Sequence, residues 1–377
     1  MENANQRPPF RADHVGSFLR PPAVLDARAR SARGSLSAGE LREVEDEAIR
    51  EVTRRQEDVG LSGVTDGEFR RAMFHVDFLR RFDGVEVGEG DFLASFHLAD
   101  GTTIDMKPPT LTVTGRLRHA GSIQGEDFDF LASVVSRTPK VSIPAPSMLH
   151  FRGGREGISQ SAYPDMAEFF DDLTAAYRAE IADLADRGCT YLQLDDTNLA
   201  YLCDPDVRER SKARGDDPDE LVHLYARLVN DSIKDRPEDM IAAIHLCRGN
   251  YRSAWVSEGG YDPVAEILFS EMDVDAFFLE YDDERSGDFK PLRFMPASKK
   301  VILGLMSSKR PEVESMDDLR KRLDEAGTLV DLGQCGISHQ CGFSSTVEGN
   351  AISPDDQWRK LERTVEVATD VWGYTPA

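Results

Sequence analysis

The tripeptide His245-Leu246-Cys247 closes an apolar run, Met240-Ile241-Ala242-Ala243-Ile244. Side chains alternate along a strand, so His245 and Cys247 project to the same side of one. An imidazole and a soft thiolate placed together suit zinc. A carboxylate, Glu280, ends a second apolar run, Ala276-Phe277-Phe278-Leu279, and a thiol, Cys341, ends a third within Ser338-His339-Gln340-Cys341-Gly342. These residues, at the ends of three strand-like segments, make a Cys₂HisGlu metal set on the rim of a barrel: His245, Cys247, Glu280 and Cys341. His339 shares a strand face with Cys341 and is the competing ligand there. Cys189, Cys203 and Cys335 read as packing residues.

The charge of that set dictates its chemistry. Two thiolates and a carboxylate outweigh a divalent zinc by about one unit, which makes the ion a poor generator of hydroxide. It still lowers the pKa of an incoming thiol and holds it as a nucleophilic thiolate. The natural reaction is S-alkylation. Four protein ligands fill a tetrahedron, so a substrate sulfur must displace one or add as a fifth. Glu280 is the ligand expected to give way, because a carboxylate exchanges more readily than a thiolate.

Other elements must position these residues. Eight short runs, each apolar until its last few residues, span 12–17, 63–68, 140–147, 191–196, 240–247, 276–281, 300–308 and 335–343. Apolar runs alternating with amphipathic helices argue for parallel strands in βαβ units. Eight of them argue for an α/β fold, a single (β/α)8 TIM barrel domain over 1–377. Ser37-Ala38-Gly39-Glu40 reads as a capping box opening a helix to about Asp58, and Ser353-Pro354-Asp355-Asp356 opens the last helix. Residues 165–188 and 206–235 carry apolar residues at helical spacing. Residues 84–120 break the rhythm: Phe96 to Met106 alternates around Asp100-Gly101 as a hairpin would, so this stretch is expected as a β-hairpin insertion after strand 2, able to cover the barrel mouth. The polar ends of the runs place His14, Ser17, Asp66, Glu68, Ser147, Asp195, Asp196, Ser307 and Ser308 beside the metal set, on the face that carries chemistry in barrel enzymes.

Composition narrows the partners. The 377 residues are 40% hydrophobic and 30% charged, as in soluble enzymes. A formal charge of −23 repels nucleic acid and anionic membrane, so neither is an expected partner. No stretch reaches the ~20 apolar residues of a membrane helix. The N-terminus lacks the apolar core of a signal peptide. Five scattered cysteines make no disulfide framework, and a cytoplasmic location is expected.

Taken in order, His14-Val15-Gly16-Ser17, Thr65-Asp66-Gly67-Glu68-Phe69, Pro144-Ala145-Pro146-Ser147-Met148, Gln193-Leu194-Asp195-Asp196, His245-Leu246-Cys247, Glu280 and Gln340-Cys341-Gly342-Phe343 resemble the catalytic half of cobalamin-independent methionine synthase, in its short single-barrel relatives. The resemblance covers nearly the whole chain. It implies zinc on the positions matched by His245, Cys247, Glu280 and Cys341. It implies a homocysteine carboxylate held around Val15 and Ser17 and its amine held by Glu68 and Asp195. His14 and Ser147 are expected as further substrate contacts, and Asp195 and Glu280 as the catalytic pair. The chemistry agrees, since two acids suit an ammonium group and a turn of N–H groups with a serine suits a carboxylate. The implied activity is methyl transfer to a small-molecule thiol, homocysteine, giving methionine, with methylfolate or methylcobalamin (or a corrinoid protein) as donor.

The chain departs from the family pattern in three ways. The family enzyme has a second barrel that helps bind the folate tail. Asp195-Asp196-Thr197 stands where the family has Asp-Glu-Pro. Met306-Ser307-Ser308-Lys309 replaces a stretch whose histidine is thought to deliver a proton to the leaving folate. A folate amine is a poor leaving group and needs an acid. A methylcobalamin donor does not. Two alternatives stand beside this reading. Epoxide–thiol transferases of the coenzyme M type resemble the family and share its zinc thiolate, although a sulfonate would want bases such as Arg71, Arg152 or Arg248 where Glu68 and Asp195 stand. The other is a metal-free barrel, a decarboxylase of the uroporphyrinogen type or a binding protein, since fold does not fix function.

Overall fold

The computed structural model describes residues 7–89 and 94–377. Its centre is an all-parallel sheet of six strands, hydrogen-bonded in chain order: Val141–Pro144, Tyr191–Asp196, Ile241–Leu246, Ala276–Glu280, Lys300–Met306 and Cys335–His339. Every residue of Tyr191–Asp196, Ala276–Glu280 and Cys335–His339 is buried. Parallel strands covered on both faces read as near-continuous apolar runs, which is how these appear in the sequence. Helices Met166–Asp186, Pro218–Ile233, Asp262–Glu271, Met316–Gly327 and Pro354–Trp372 alternate with them. Register sets Asp195 beside His245 and Glu280 beside Gly304, so polar residues at the carboxyl ends come level.

The two remaining runs make sparser pairings, and Gly63–Val64 makes its own outside the six-stranded sheet. Ala12 makes one parallel bridge to Ile337, and the two-residue strand Gly63–Val64 pairs in parallel with Thr138–Pro139. The backbone then leaves the ladder: Gly16 lies at φ +142°, Gly67 at +69° and Glu68 at +59°, a region costly for a side chain such as glutamate. Side chains join the two runs, with His14 Nε2 3.0 Å from Gly63 O and Thr65 Oγ1 donating to Gly16 O at 2.6 Å.

A buried ion pair braces this side. Lys140 Nζ donates to Asp13 Oδ1 (3.0 Å) and His14 O (2.5 Å), and lies over the rings of Phe278 (4.2 Å) and Tyr191 (4.8 Å). Asp13 also accepts from Tyr191 OH (2.7 Å) and from the N–H groups of His14 (2.8 Å) and Phe10 (3.2 Å). A buried pair holds only when such extra bonds satisfy both partners.

The helix opened by Ser37 runs over Ala38–Val59 with a reciprocal capping box, and Ser353 opens Pro354–Trp372 in the same way. The helical spacing over 206–235 resolves into two helices, Pro205–Ala213 and Pro218–Ile233, because Asp217 caps a new N-terminus ahead of Pro218. Within 84–120, Asp83–Glu89 pairs antiparallel with Pro109–Arg118, and Ala94–His97 with Thr103–Met106 across Asp100-Gly101. The second pair packs Ala94 and Phe96 against Ala254 and bridges His97 to Trp255, which places it on the loop that follows Cys247. Among the described residues, no helix is long and apolar enough to cross a membrane.

Candidate metal centre

His245, Cys247, Glu280 and Cys341 converge: one ligand atom from each lies within 4.8 Å of all the others, and all four residues are buried. The sulfurs of Cys247 and Cys341 are 3.3 Å apart. That is far beyond the ~2.05 Å of a disulfide. It is slightly inside the about 3.8 Å that tetrahedral zinc with ~2.3 Å bonds would set between two sulfurs.

Each side chain arrives by its own route. His245 projects from its strand, and Cys247 follows with its N–H on Asp196 O at 2.8 Å. Glu280 ends its strand, donates its N–H to Tyr261 OH (2.9 Å) and accepts Arg248 N–H on Oε1 (2.8 Å). Cys341 lies past the strand end at His339, in a turn held by Gln340 N–H on Met306 O (2.8 Å) and Asn250 Nδ2 on Gly342 O (2.7 Å). Strand alternation therefore does not extend from His339 to Cys341. The His339 ring packs on Phe343 at 4.7 Å and lies outside the cluster. Gly304 allows the close approach: a Cβ there would meet Gln340 Cα at 2.6 Å and Leu279 O at 2.8 Å.

The donor set suits a cation. Both ring nitrogens of His245 and Oε2 of Glu280 are buried without a hydrogen-bond partner. Orphaned buried polar atoms are rare, and several converging on one point fit an ion. Burial raises Glu280 to about 7 despite the nearby Arg285. Contact with Cys247 draws the Cys341 thiol well below its usual value, helped by His245, and the same contact raises Cys247. Burial alone would lower His245, but Cys341, Asp195 and Glu280 outweigh it and raise the imidazole. The two shifts run in opposite senses, towards negative charge on Cys341 and positive charge on His245, an arrangement that a cation would replace.

Two acids lie alongside. Asp195 is pushed to about 7 by burial and by Glu68, against His245, and its Oδ1 accepts Gln193 Nε2 at 2.7 Å. Burial also raises Glu68, opposed by Arg71 (Nη1–Oε2 3.8 Å) and Arg20. Glu68 Oε1 accepts Ser142 OH at 3.2 Å, while its Oε2 has no hydrogen bond. The turn Val15-Gly16-Ser17 lies against this pair: a Cβ on Gly16 would sit 3.5 Å from Glu68 Oε1, and Gln193 Nε2 also donates to Val15 O at 2.7 Å. Ser17 Oγ accepts Ser344 N–H at 3.2 Å. Ser147 Oγ donates to the Asp196 carboxylate and accepts Asn198 Nδ2 at 2.9 Å, so it is committed to the strand end. His14 stays neutral, held at about 4 by burial and Lys140, with its ring edge-on to Phe18 at 5.3 Å.

The structure adds residues that no spacing marked. Arg285 reaches Glu280 Oε2 at 3.8 Å while bound to Asp282 and Asp283 at 2.7 Å each. Arg248 is fully buried over the Tyr261 ring at 4.5 Å. Lys309 Nζ holds Asn250 Oδ1 (2.7 Å) and Gly249 O (3.1 Å) behind Cys341. The sequence marks Arg248 only as a base suited to a sulfonate and Lys309 only as part of the stretch 306–309, and nothing in it marks Arg285.

Comparison with known proteins adds the following. A family model described as the catalytic domain of cobalamin-independent synthase matches residues 134–369. Two uncharacterized Bacillus subtilis proteins, YxjG and YxjH, are 44% and 42% identical to the chain, each alignment covering 97% of it and 96% of the relative. The 5-methyltetrahydropteroyltriglutamate–homocysteine methyltransferase of Thermotoga petrophila is 21% identical over 90% of this chain but 42% of its own length. Among solved structures, a Listeria monocytogenes protein provisionally described as a vitamin-B12-independent methionine synthase has TM-score 0.78 and 37% identity, covering 98% of this chain and 100% of that one. A B12-independent methionine synthase from Shewanella, solved with selenomethionine, shares the fold at TM-score 0.69 and 17% identity, covering 96% of this chain and 97% of its own.

Proposed function

The chain belongs to the cobalamin-independent methionine synthase family, matching its catalytic domain, and from its site we propose that it is a zinc-dependent methyltransferase that alkylates a thiol, homocysteine, to give methionine. One observation carries the reading: the Cys₂HisGlu cluster lies beside a buried pair of carboxyl groups. We read the architecture as one (β/α)8 barrel with 84–120 inserted after its second stave. The support is a parallel chain of pairings from Gly63–Val64 through 138–144 and the six-stranded sheet to the Ala12–Ile337 bridge. Five free thiols accord with a cytoplasmic setting.

Zinc held by His245, Cys247, Glu280 and Cys341 would supply a lowered pKa for the substrate thiol, so that it attacks as thiolate. The chain's own residues do the rest. Glu280 would be the ligand to give way to the substrate sulfur, and its carboxylate has other partners in place, the Arg248 N–H and the Arg285 guanidinium. Asp195 and Glu68 hold the ammonium group, and the Val15–Ser17 turn takes the carboxylate. His14 and Ser147 support these contacts through Gly63 and Asp196. The methyl donor is methylfolate or a methylcobalamin species. Lys309, next to Ser307 and Ser308, is committed to Gly249 and Asn250, so a leaving group that needs no proton fits the site better. The acid pair disfavours a sulfonate-bearing thiol of the coenzyme M type.

The test is metal analysis of protein purified without chelator, with product analysis after homocysteine is supplied with methylfolate and, separately, with methylcobalamin. Near one equivalent of zinc, lost in His245→Ala and Cys341→Ala, is expected. Less than about half an equivalent in the wild type overturns the reading.

A further inference from the structure

A cavity of about 240 Å³ opens between the hairpin Ala94–His97/Thr103–Met106 and the helix Pro205–Ala213. Phe96, Met106, Phe151 and Val207 make its apolar walls. It adjoins the metal cluster: Tyr201, also on its wall, feels the charges of Cys247 and Glu280, and the N–H of Val256 bonds Arg248 O at 2.9 Å.

The sign of its charge sets this cavity apart. A chain with 68 acidic and 45 basic residues brings three arginines, Arg152, Arg210 and Arg214, to one apolar space. Arg214 is committed, to Asp216 at 2.6 Å and to Phe151 O at 2.7 Å. Arg152 and Arg210 have no carboxylate within ion-pair distance among the described residues. The side-chain partner of Arg152 is the imidazole of His75 (3.3 Å), a ring kept neutral by burial and by Arg152 itself. A second cavity, about 60 Å³, lies against Arg152 beside His75, Leu111 and Met148, so that guanidinium stands between two open spaces. Guanidinium forks match carboxylate and phosphate oxygens, and clefts of one sign with low-dielectric walls concentrate the opposite charge.

We infer that this cavity binds a small molecule with an apolar body and one anionic end, a carboxylate or a phosphate monoester, clasped by Arg152 and Arg210 while the body packs on Phe96, Phe151 and Val207. The site is separate from the thiol contacts at Glu68 and Asp195, and its occupancy does not depend on methyl transfer.

Calorimetric titration of the zinc-loaded full chain tests this with naphthoate and naphthyl phosphate, against neutral naphthylmethanol and cationic naphthylmethylammonium. At least one of the anions should bind about tenfold or more tighter than the alcohol, with the ammonium weakest. Arg210→Met, at an exposed position, should weaken the anion about three- to tenfold and leave the alcohol unchanged. Arg152→Met combined with Arg210→Met should erase the preference for the anion. Val207→Trp, which fills the cavity, should abolish binding of every probe while zinc content stays constant. Thermal melts identify any variant that fails to fold, and Arg210→Met then carries the test alone. Equal binding of alcohol and anions, anion binding that survives both Arg210→Met and Val207→Trp, or no binding of either anion overturns the inference. Zinc content measured on the same samples separates this failure from failure of the methyltransferase reading.

Discussion

Replacing Asp195 with asparagine gives the sharpest test of how the site tells one thiol from another. Gln193 Nε2 donates to Asp195 Oδ1 at 2.7 Å, and that bond survives Asp195→Asn only if the asparagine carbonyl takes it. The asparagine NH₂ then faces the space where Oδ2 would meet an ammonium group, so the variant loses an acceptor and gains a donor. A hydrogen bond to a charged group contributes about 1.5–3 kcal/mol. At 1.4 kcal/mol per decade this is roughly 10- to 150-fold in affinity, and the misplaced donor pushes the loss to the upper part of that range, about 100-fold, with Glu68 retaining the rest. The assay is titration of cobalt-substituted protein, following the thiolate-to-metal band, with homocysteine and with mercaptobutyrate, the same thiol without its amine. Homocysteine should weaken about 100-fold and mercaptobutyrate by no more than about twofold. Because burial lifts Asp195 to about 7, its charged form is populated above that pH. Homocysteine binding to the wild type should therefore weaken as pH falls through 7, and Asp195→Asn should flatten that slope. Equal weakening of both thiols, or less than about threefold for homocysteine, refutes the assignment of Asp195 to the amine.

Three further outcomes follow from the fold. Lys140→Met leaves Asp13 buried and unpaired and should cost about 3–5 kcal/mol in urea unfolding, part of it recovered by adding Asp13→Asn; a loss below about 1 kcal/mol would contradict the pair's role. Gly304→Ala drives a methyl group into Gln340 Cα and Leu279 O, so it should cost about 1–3 kcal/mol and speed zinc loss to a chelator, and unchanged chelation kinetics would count against the close approach described above. His150, its Nδ1 3.0 Å from Tyr225 OH, is held at about 4 by burial, below its ordinary 6.5. The unfolded chain binds its proton first, so the neutral ring's contribution is complete above pH 6.5 and lost as pH falls towards 4. Denaturant titrations should show about 2 kcal/mol of this loss by pH 5, absent in His150→Phe, and identical slopes for the two proteins would exclude it.

The convergence of His245, Cys247, Glu280 and Cys341 was legible because buried parallel strands are apolar until they end, so a ligand-type residue at the end of such a run stands out. The same pattern misplaced His339 beside Cys341, since alternation stops where the strand does. The runs 12–17 and 63–68 looked like full strands from hydropathy, but positive φ angles at Gly16, Gly67 and Glu68 take the backbone out of the ladder, and hydropathy does not register φ. Ser147 and Asp196 both looked like free rim groups, and their bond to each other is a matter of position rather than residue type. Arg285 carries no signal in the sequence and Arg248 stands out there only as a base suited to a sulfonate, for a related reason: arginines are common surface residues, and only burial identifies the two that lie against Glu280. The pairing of Asp83–Glu89 with Pro109–Arg118 was equally hidden, because strands this exposed lack clean alternation.

Cys341 enters the cluster from a turn beyond the last strand of the sheet, and 93 residues of chain separate it from Cys247. A nascent or truncated polypeptide that stops short of this turn has only the imidazole, one thiol and the carboxylate, and should grip a cation less tightly than the complete set. On the proposed metal reading, loading would follow completed assembly and would fasten the C-terminal third to the middle of the molecule. Stripping the ion should first loosen that third, so proteases ought to nick the stripped protein between Glu280 and Cys341 before they open the core.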